Sequence, residues 1–196
     1  MAYIIIGITV VVSFMCFSNR VLFEKLAFIP YLTIKDKQWY RLITHGFVHA
    51  DTVHLLVNMF TFWSFGVYVE RLFQHYGHGS LAFFLLYFGG MIVASLHDLI
   101  KRKDNPHYIS VGASGAVSAV LFSSIFFDPW GTILLFALIP IPGILFGVLY
   151  LVYCQYMAKQ GGDNINHNAH FYGAVYGFLF PILLNPSYLS EFFERL

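Results

Sequence analysis

Apolar residues run along this chain in long blocks, at about 2–18, 52–69, 80–98, 111–127, 132–152 and 169–185. None of the blocks alternates with the period of a half-buried strand. A helix needs about 20 residues, within a range of about 17–25, to cross the hydrocarbon core of a bilayer. The pattern therefore predicts an all-α membrane protein of six transmembrane helices, with residues 1–196 forming one domain and no soluble appendage. Residues 2–17 lack the basic flank and the small-residue cleavage site of a signal peptide, so they read as a retained first span.

The polar stretches between the blocks differ in character. The first, 19–51, carries Phe23, Phe28, Tyr31, Trp39 and Tyr40, which is too aromatic for a solvated linker. Trp and Tyr favour the membrane interface, so this loop is expected to lie partly among the headgroups. Residues 99–110 are polar, and 158–168 are rich in Gly and Asn. Pro140 and Pro142 interrupt the fifth block. Proline breaks a helix interior but suits its first position. The fifth span is thus expected to start near Ile141–Pro142 and run to about Met157, with 130–139 as an apolar loop.

Composition strengthens this picture. Of 196 residues, 58% are hydrophobic and only 11% charged, against roughly 25% charged in an ordinary soluble domain. A net charge of +1 gives no basic surface for nucleic acid. Cys16 and Cys154 both lie in apolar runs and read as free thiols rather than a disulfide framework.

Polar and ionisable groups at membrane depth are costly, which makes them functional candidates. Ser114 lies in Gly112-Ala113-Ser114-Gly115, at the start of an apolar helix whose free N–H groups favour negative charge. Gly112 and Gly115 would admit close backbone approach. His170, Gly173 and Gly177 are spaced three and then four apart, so they share a helix face that another helix can approach closely. Ser114, Gly115, Ser118 and Ala119 form a matching face. Pressed together, the two faces would bring Ser114 Oγ within hydrogen-bond reach of a His170 nitrogen, the geometry of nucleophile and base. His167, one turn earlier, competes for the base role. The bland alternatives are small-residue helix packing and a histidine bonded to a neighbouring helix.

His45, His49, His54 and Asn58 form a third cluster. His54 and Asn58 are i and i+4, so both could aim donors at a tetrahedral oxyanion, together with the Ser114 N–H. Each such donor is worth about 2.7–4 kcal/mol of barrier. The competing reading is interhelical polar glue, worth about 0.6–2 kcal/mol. Neutral histidine also binds metals, but there is no H-E-x-x-H and no carboxylate in phase with His54, so no metal is expected. Asp98, Asp104, Asp128 and Asp163 lie at span ends or in loops, which favours a Ser–His dyad over a full triad.

Together these pieces resemble the rhomboid family of intramembrane serine proteases. Trp39-Tyr40-Arg41 resembles its first-loop signature, and His45-Gly46-Phe47-Val48-His49 with His54 to Asn58 its second-span motif. Gly112-Ala113-Ser114-Gly115 and Ala169-His170-x2-Gly173-x3-Gly177 are similar to its nucleophile and sixth-span motifs. The resemblance runs from about residue 37 to 180. It implies a bundle whose shortened fourth helix starts at the nucleophile Ser114. It further implies His170 as base, and His54, Asn58 and the Ser114 N–H as oxyanion hole. Arg41, His45 and His49 are supporting residues. The implied activity is endopeptidase cleavage of transmembrane substrates near small residues through an acyl-enzyme, without a cofactor. The partners are membrane protein substrates and lipid, in a bacterial inner membrane or an organelle membrane.

One departure concerns the position four residues after the serine. Some members carry tyrosine there, against the histidine; this chain has Ser118, so Tyr172, Phe171 or another aromatic must take that part. Orientation also divides the signals. The family resemblance implies a cytoplasmic N-terminus and an outward site. Yet loops one, three and five hold nine of the eleven Lys and Arg residues, which by the positive-inside rule belong in the cytoplasm. Hydrolysis further requires water, and His45, His49, Asn58 and Ser110 are candidates to hold it above the fourth span, with spans two and five as a lateral gate. A non-catalytic protein that escorts membrane clients is the alternative of another class, and a metal or haem protein a third.

Overall fold

The computed structural model describes residues 1–135 and 138–196. The helices are α1 (Ala2–Ser18), α2 (Arg20–Leu26), α3 (Pro30–Lys35), α4 (Arg41–Thr44), α5 (Thr52–His75), α6 (Gly79–Lys101), α7 (Ser114–Phe127), α8 (Gly143–Gln160), α9 (His167–Leu184) and α10 (Tyr188–Arg195). Five of the six apolar blocks fall on one long helix each, α1, α5, α6, α7 and α9, and the fifth block leads into α8. By length and composition, α5 and α6 are each sufficient to cross a membrane.

The fifth block departs from expectation at its start. The stretch read as an apolar loop is an antiparallel ribbon, with β1 (Thr132–Leu135) paired to β2 (Ile139–Pro142) in the register Thr132↔Pro142 to Leu135↔Ile139. Two prolines flank Ile141 on β2, and proline is tolerated on such an edge because it has no N–H to lose. Phe136 and Ala137, part of the predicted loop, lie outside the described residues. Helix α8 then begins at Gly143, immediately after Pro142. Sequence reading also missed the amphipathic α10, which buries Tyr188 and Phe192 beneath the bundle.

The centre of the molecule is α7. Every residue from Gly115 to Phe127 is buried. Around it stand α5, α6 and α9, and its most extensive partner is α9. Glycine permits that closeness. A Cβ at Gly173 would collide with the backbone of Gly115, and one at Gly177 with the backbone of Ala119. The pairing of small-residue faces expected from the sequence is thus what joins α7 to α9. By contrast α8 sits at the periphery, burying only Gly143, Gly147 and Cys154.

The outer surface is apolar. Ile4, Ile8 and Val11 of α1, Leu56, Phe60 and Trp63 of α5, Leu149 and Val152 of α8, and Leu179 and Leu183 of α9 are all exposed. Scattered surface apolar residues are ordinary, but a girdle across four helices is the face that lipid covers.

The first loop packs as structure, as its aromatic content predicted. Arg41 is buried, and its guanidinium donates to the Glu24 carbonyl at 2.7 Å and the Ala27 carbonyl at 2.5 Å, with Gln38 Oε1 at 2.6 Å. Phe28 and Ser110 exchange both backbone hydrogen bonds, pinning this loop to the segment that leads into α7.

Candidate active site

Ser114 is the first residue of α7, and the turn before it is held from three sides. Gly112 has φ +116, a conformation glycine adopts without strain. Its N–H donates to the His45 carbonyl at 3.0 Å. The Ala113 N–H points at His49 Nε2, 3.5 Å away. The His54 ring lies against Gly112, so close that a Cβ there would stand 2.8 Å from Nε2. His54 therefore sits beside the turn that presents the Ser114 N–H. Asn58, one turn along α5, donates to the His54 carbonyl at 3.0 Å, which leaves its second amide hydrogen uncommitted.

His45 and His49 hold the loop rather than face open space. His45 Nε2 pairs with Ser95 Oγ at 3.1 Å, and His49 Nδ1 with Ser13 Oγ at 3.0 Å. Both precede α5, outside the spanning helices. Burial drives their pKa values down, His45 to about 4 and His49 to about 3, so both are neutral at pH 7. The Ser13 and Ser95 hydroxyls already donate to the Phe47 and Met91 carbonyls, each at 2.9 Å, so His49 Nδ1 and His45 Nε2 donate to those serine oxygens, and His49 Nε2 keeps the lone pair that faces the Ala113 N–H.

His170 stands on the first turn of α9. Asn166 starts that helix, its side chain accepting from the Ala169 N–H at 3.0 Å. The same Asn166 amide donates to Asp98, whose other partners are Tyr108 at 2.7 Å and His97 at 3.2 Å. Burial beside Asp98 raises the pKa of Tyr108. These contacts tie α6 to α9 near His170, and sequence reading missed them; Asn166, three residues ahead of the apolar run, was the available signal.

The Gly115–Gly173 contact brings Ser114 and His170 to the same end of the α7–α9 seam. A Cβ at Gly115 would also lie 3.4 Å from the carbonyl oxygen of Ala169, the neighbour of His170. The direct Ser114–His170 hydrogen bond expected from the sequence is absent among the described residues. The His170 ring instead lies nearly parallel to Tyr150, with centroids 6.3 Å apart and 17° between planes. Catalytic hydrogen bonds are often long before substrate tightens them. No carboxylate reaches His170 among the described residues. Asp163 engages His167 instead, at 3.0 Å, and that hydrogen bond holds its carboxyl below the ordinary range.

Tyr150 is the aromatic that Ser118 requires. Its hydroxyl bonds Ser118 Oγ at 2.8 Å while its ring packs on His170. It comes from α8, far from Ser118 in sequence, where no spacing argument could reach it. Tyr172 stacks on His97 and Phe171 packs on Tyr172, so neither named candidate takes that part.

Comparison with known proteins bears on this arrangement. The Rhomboid domain family matches residues 36–187, which includes every motif residue named above. The chain belongs to the rhomboid family. It is 30% identical over 156 residues to RHOMBOID-like protein 12, mitochondrial, of Arabidopsis thaliana, covering 72% of this chain and 45% of that protein. It is 34% identical over 167 residues to RHOMBOID-like protein 4 of the same plant, covering 79% and 37%. The putative rhomboid protease YdcA of Bacillus subtilis (strain 168) is 28% identical over 158 residues, covering 78% and 70%. This rhomboid thus spans less than half the length of the two plant relatives. As a rhomboid it is a membrane protein, which accords with its girdle of exposed apolar side chains.

Proposed function

We propose that this rhomboid is an intramembrane serine endopeptidase that cleaves transmembrane segments of membrane proteins near small residues. The observation that carries the reading is the α7–α9 seam, where Gly115 against Gly173 and Ala119 against Gly177 hold a helix-starting serine beside a first-turn histidine. Relatives named as rhomboid proteases support the reading.

The structure supports the following chemistry. Ser114 Oγ attacks the scissile carbonyl while His170 takes its proton. The oxyanion that forms is met by the Ser114 N–H, the His54 ring and the Asn58 amide. The positive end of α7 adds to this, since an aligned helix carries about half a positive charge at its N-terminus. His170 then protonates the leaving amine, and water resolves the acyl-enzyme. With no carboxylate on His170 among the described residues, orientation falls to Tyr150 and the packing of α9, as a dyad requires.

Helix lengths explain how water reaches the site. We take α1, α5, α6, α7, α8 and α9 as six spans of one domain over residues 1–196. With 14 residues α7 is about 21 Å long, shorter than a hydrocarbon core of about 30 Å. A helix that short leaves one end below the membrane surface, and we take that end to be its N-terminus, with Ser114. Lateral entry falls between α5 and α8, because α8 is the least buried of these helices. Cross-linking α5 to α8 should abolish cleavage of membrane substrates while sparing reaction with a small soluble probe. Relatives named as mitochondrial and relatives from Bacillus subtilis both match, which fits either an organelle membrane or a bacterial inner membrane.

The deciding test needs no known substrate. Protein purified in mild detergent is treated with a fluorophosphonate probe beside Ser114→Ala, His170→Ala and His167→Ala. Labelling lost in the first two and kept in the third supports the dyad. Labelling that survives Ser114→Ala overturns Ser114 as the nucleophile, and a well-folded wild type that does not label favours the client-escort reading.

A further inference from the structure

Three donors, the proposed base and two side chains that the mechanism does not use, converge where α8 meets α9. One ligand atom each from Cys154, His167 and His170 lie within 4.8 Å of one another. Cys154 is a buried free thiol on the inner face of α8. His167 is 4% exposed, and its two ring nitrogens differ sharply. Nε2 is held by the Asp163 carboxylate at 3.0 Å, while Nδ1 is buried with no hydrogen-bond partner. An orphaned buried nitrogen costs about 1–3 kcal/mol, so its position calls for an explanation. A carboxylate on Nε2 fixes the proton there and leaves Nδ1 as a lone pair. That is the arrangement in which a histidine binds a metal through one nitrogen and an acid through the other. Neither ring nitrogen of His170 has a hydrogen-bond partner among the described residues.

We propose that Cys154, His167 and His170 form a binding site for a thiophilic divalent cation such as Zn2+, and that its occupation withdraws His170 from proteolysis. The second half rests on the dyad reading above. Thiolate and imidazole are the donors zinc prefers, at about 2.3 Å and 2.0–2.1 Å, with water completing a tetrahedron. Those lengths set the donors roughly 3.3–3.6 Å apart, so closing the site takes about an ångström of side-chain adjustment. Binding releases the Cys154 proton to solvent and leaves a thiolate on the metal. The ion has a path in, because residues 161–165, beside His167, are all exposed. The metal occupies the lone pair that His170 needs to accept the Ser114 proton, so it would act as a reversible inhibitor and not as a cofactor.

Co2+ provides a readout independent of activity. Added to the full chain in detergent, it should give a near-ultraviolet thiolate-to-cobalt band together with the visible bands of a tetrahedral ion. The band should vanish in Cys154→Ser, and Asp163→Asn should weaken Co2+ binding about 10–100-fold while leaving the fold intact. Losing a general base costs about 10²–10⁴-fold, so saturating Zn2+ should cut fluorophosphonate labelling of the wild type at least about 100-fold. Each variant is referred to its own metal-free rate, and Cys154→Ser should resist Zn2+. Absence of a cobalt band, or a band that persists in Cys154→Ser, would overturn the site. A band with undiminished labelling would overturn the inhibitory role. A wild type that fails to label even without metal would speak against the dyad alone, since the cobalt band would still decide the site.

Discussion

Gly177→Ala adds one methyl group at the closest approach of α9 to α7. The new Cβ falls on the carbonyl group and Cα of Ala119, all of them backbone, so no rotamer change relieves the overlap. Ordinary contact begins at 3.4 Å, and reaching it would separate the helices locally by roughly an ångström. Two terms then oppose each other. Alanine gains about 0.5–1 kcal/mol over glycine in a helix interior. Overpacking costs about 1–3 kcal/mol, and backbone against backbone belongs at the upper end. The expected net loss is about 2 kcal/mol. The seam also carries Ser114 and His170, and a misplacement of about 1 Å can cost about 10²-fold in rate. Labelling by a fluorophosphonate should therefore fall about 10²-fold, and the thermal midpoint in detergent should drop. Gly7→Ala is the control, because nothing lies within 4 Å of its Cβ on the exposed side of α1. It should be neutral or slightly stabilising. If Gly177→Ala labels at the wild-type rate with an unchanged midpoint, then the close α7–α9 seam is not what holds the site.

Other expectations follow from single contacts. Tyr150→Phe removes the hydroxyl bonded to Ser118 and keeps the ring on His170, so it should cost about 1 kcal/mol of stability with little change in labelling. Tyr150→Leu removes the ring as well and should slow labelling about tenfold, roughly 1.4 kcal/mol of barrier; equal rates in the two variants would deny Tyr150 an orienting role. His54→Ala should cost about 10²–10³-fold in labelling rate, the ordinary worth of one oxyanion donor, with a smaller loss of stability. The pH profile of stability tests the buried first-loop histidine. His45 has a folded pKa of about 4 against 6.5 unfolded, so the unfolded chain binds more protons between those values. Stability is therefore full above about pH 6.5 and falls as the pH drops toward 4, by roughly 3 kcal/mol from this group. The facing Asp98 carboxylate opposes the shift without cancelling it. A detergent thermal midpoint that is flat from pH 7 to pH 4.5, or as steep in His45→Gln as in the wild type, would contradict this.

Much of the architecture is determined by the sequence alone. Burial of apolar blocks in lipid depends on block length and composition, which are local properties, so the six long helices could be read directly from the pattern. The glycine faces of α7 and α9 could be read for a similar reason. Residues three and four apart share a helix face whatever surrounds them, and only small side chains allow backbones to touch. Ser114 at a helix start and His170 beside Gly173 follow from the same local rules. What tertiary structure decided are relations across the bundle. Helix rotation sets which aromatic meets His170, and that selects Tyr150 of α8 over the nearer Phe171 and Tyr172. Tertiary structure also sets which acid meets which base, giving Asp163 to His167 and leaving His170 without a carboxylate partner among the described residues. The apolar ribbon before α8 escaped the periodicity because both its strands are apolar on either face. The Cys154, His167 and His170 cluster was equally invisible, since its cysteine comes from a helix whose packing against α9 no sequence spacing encodes.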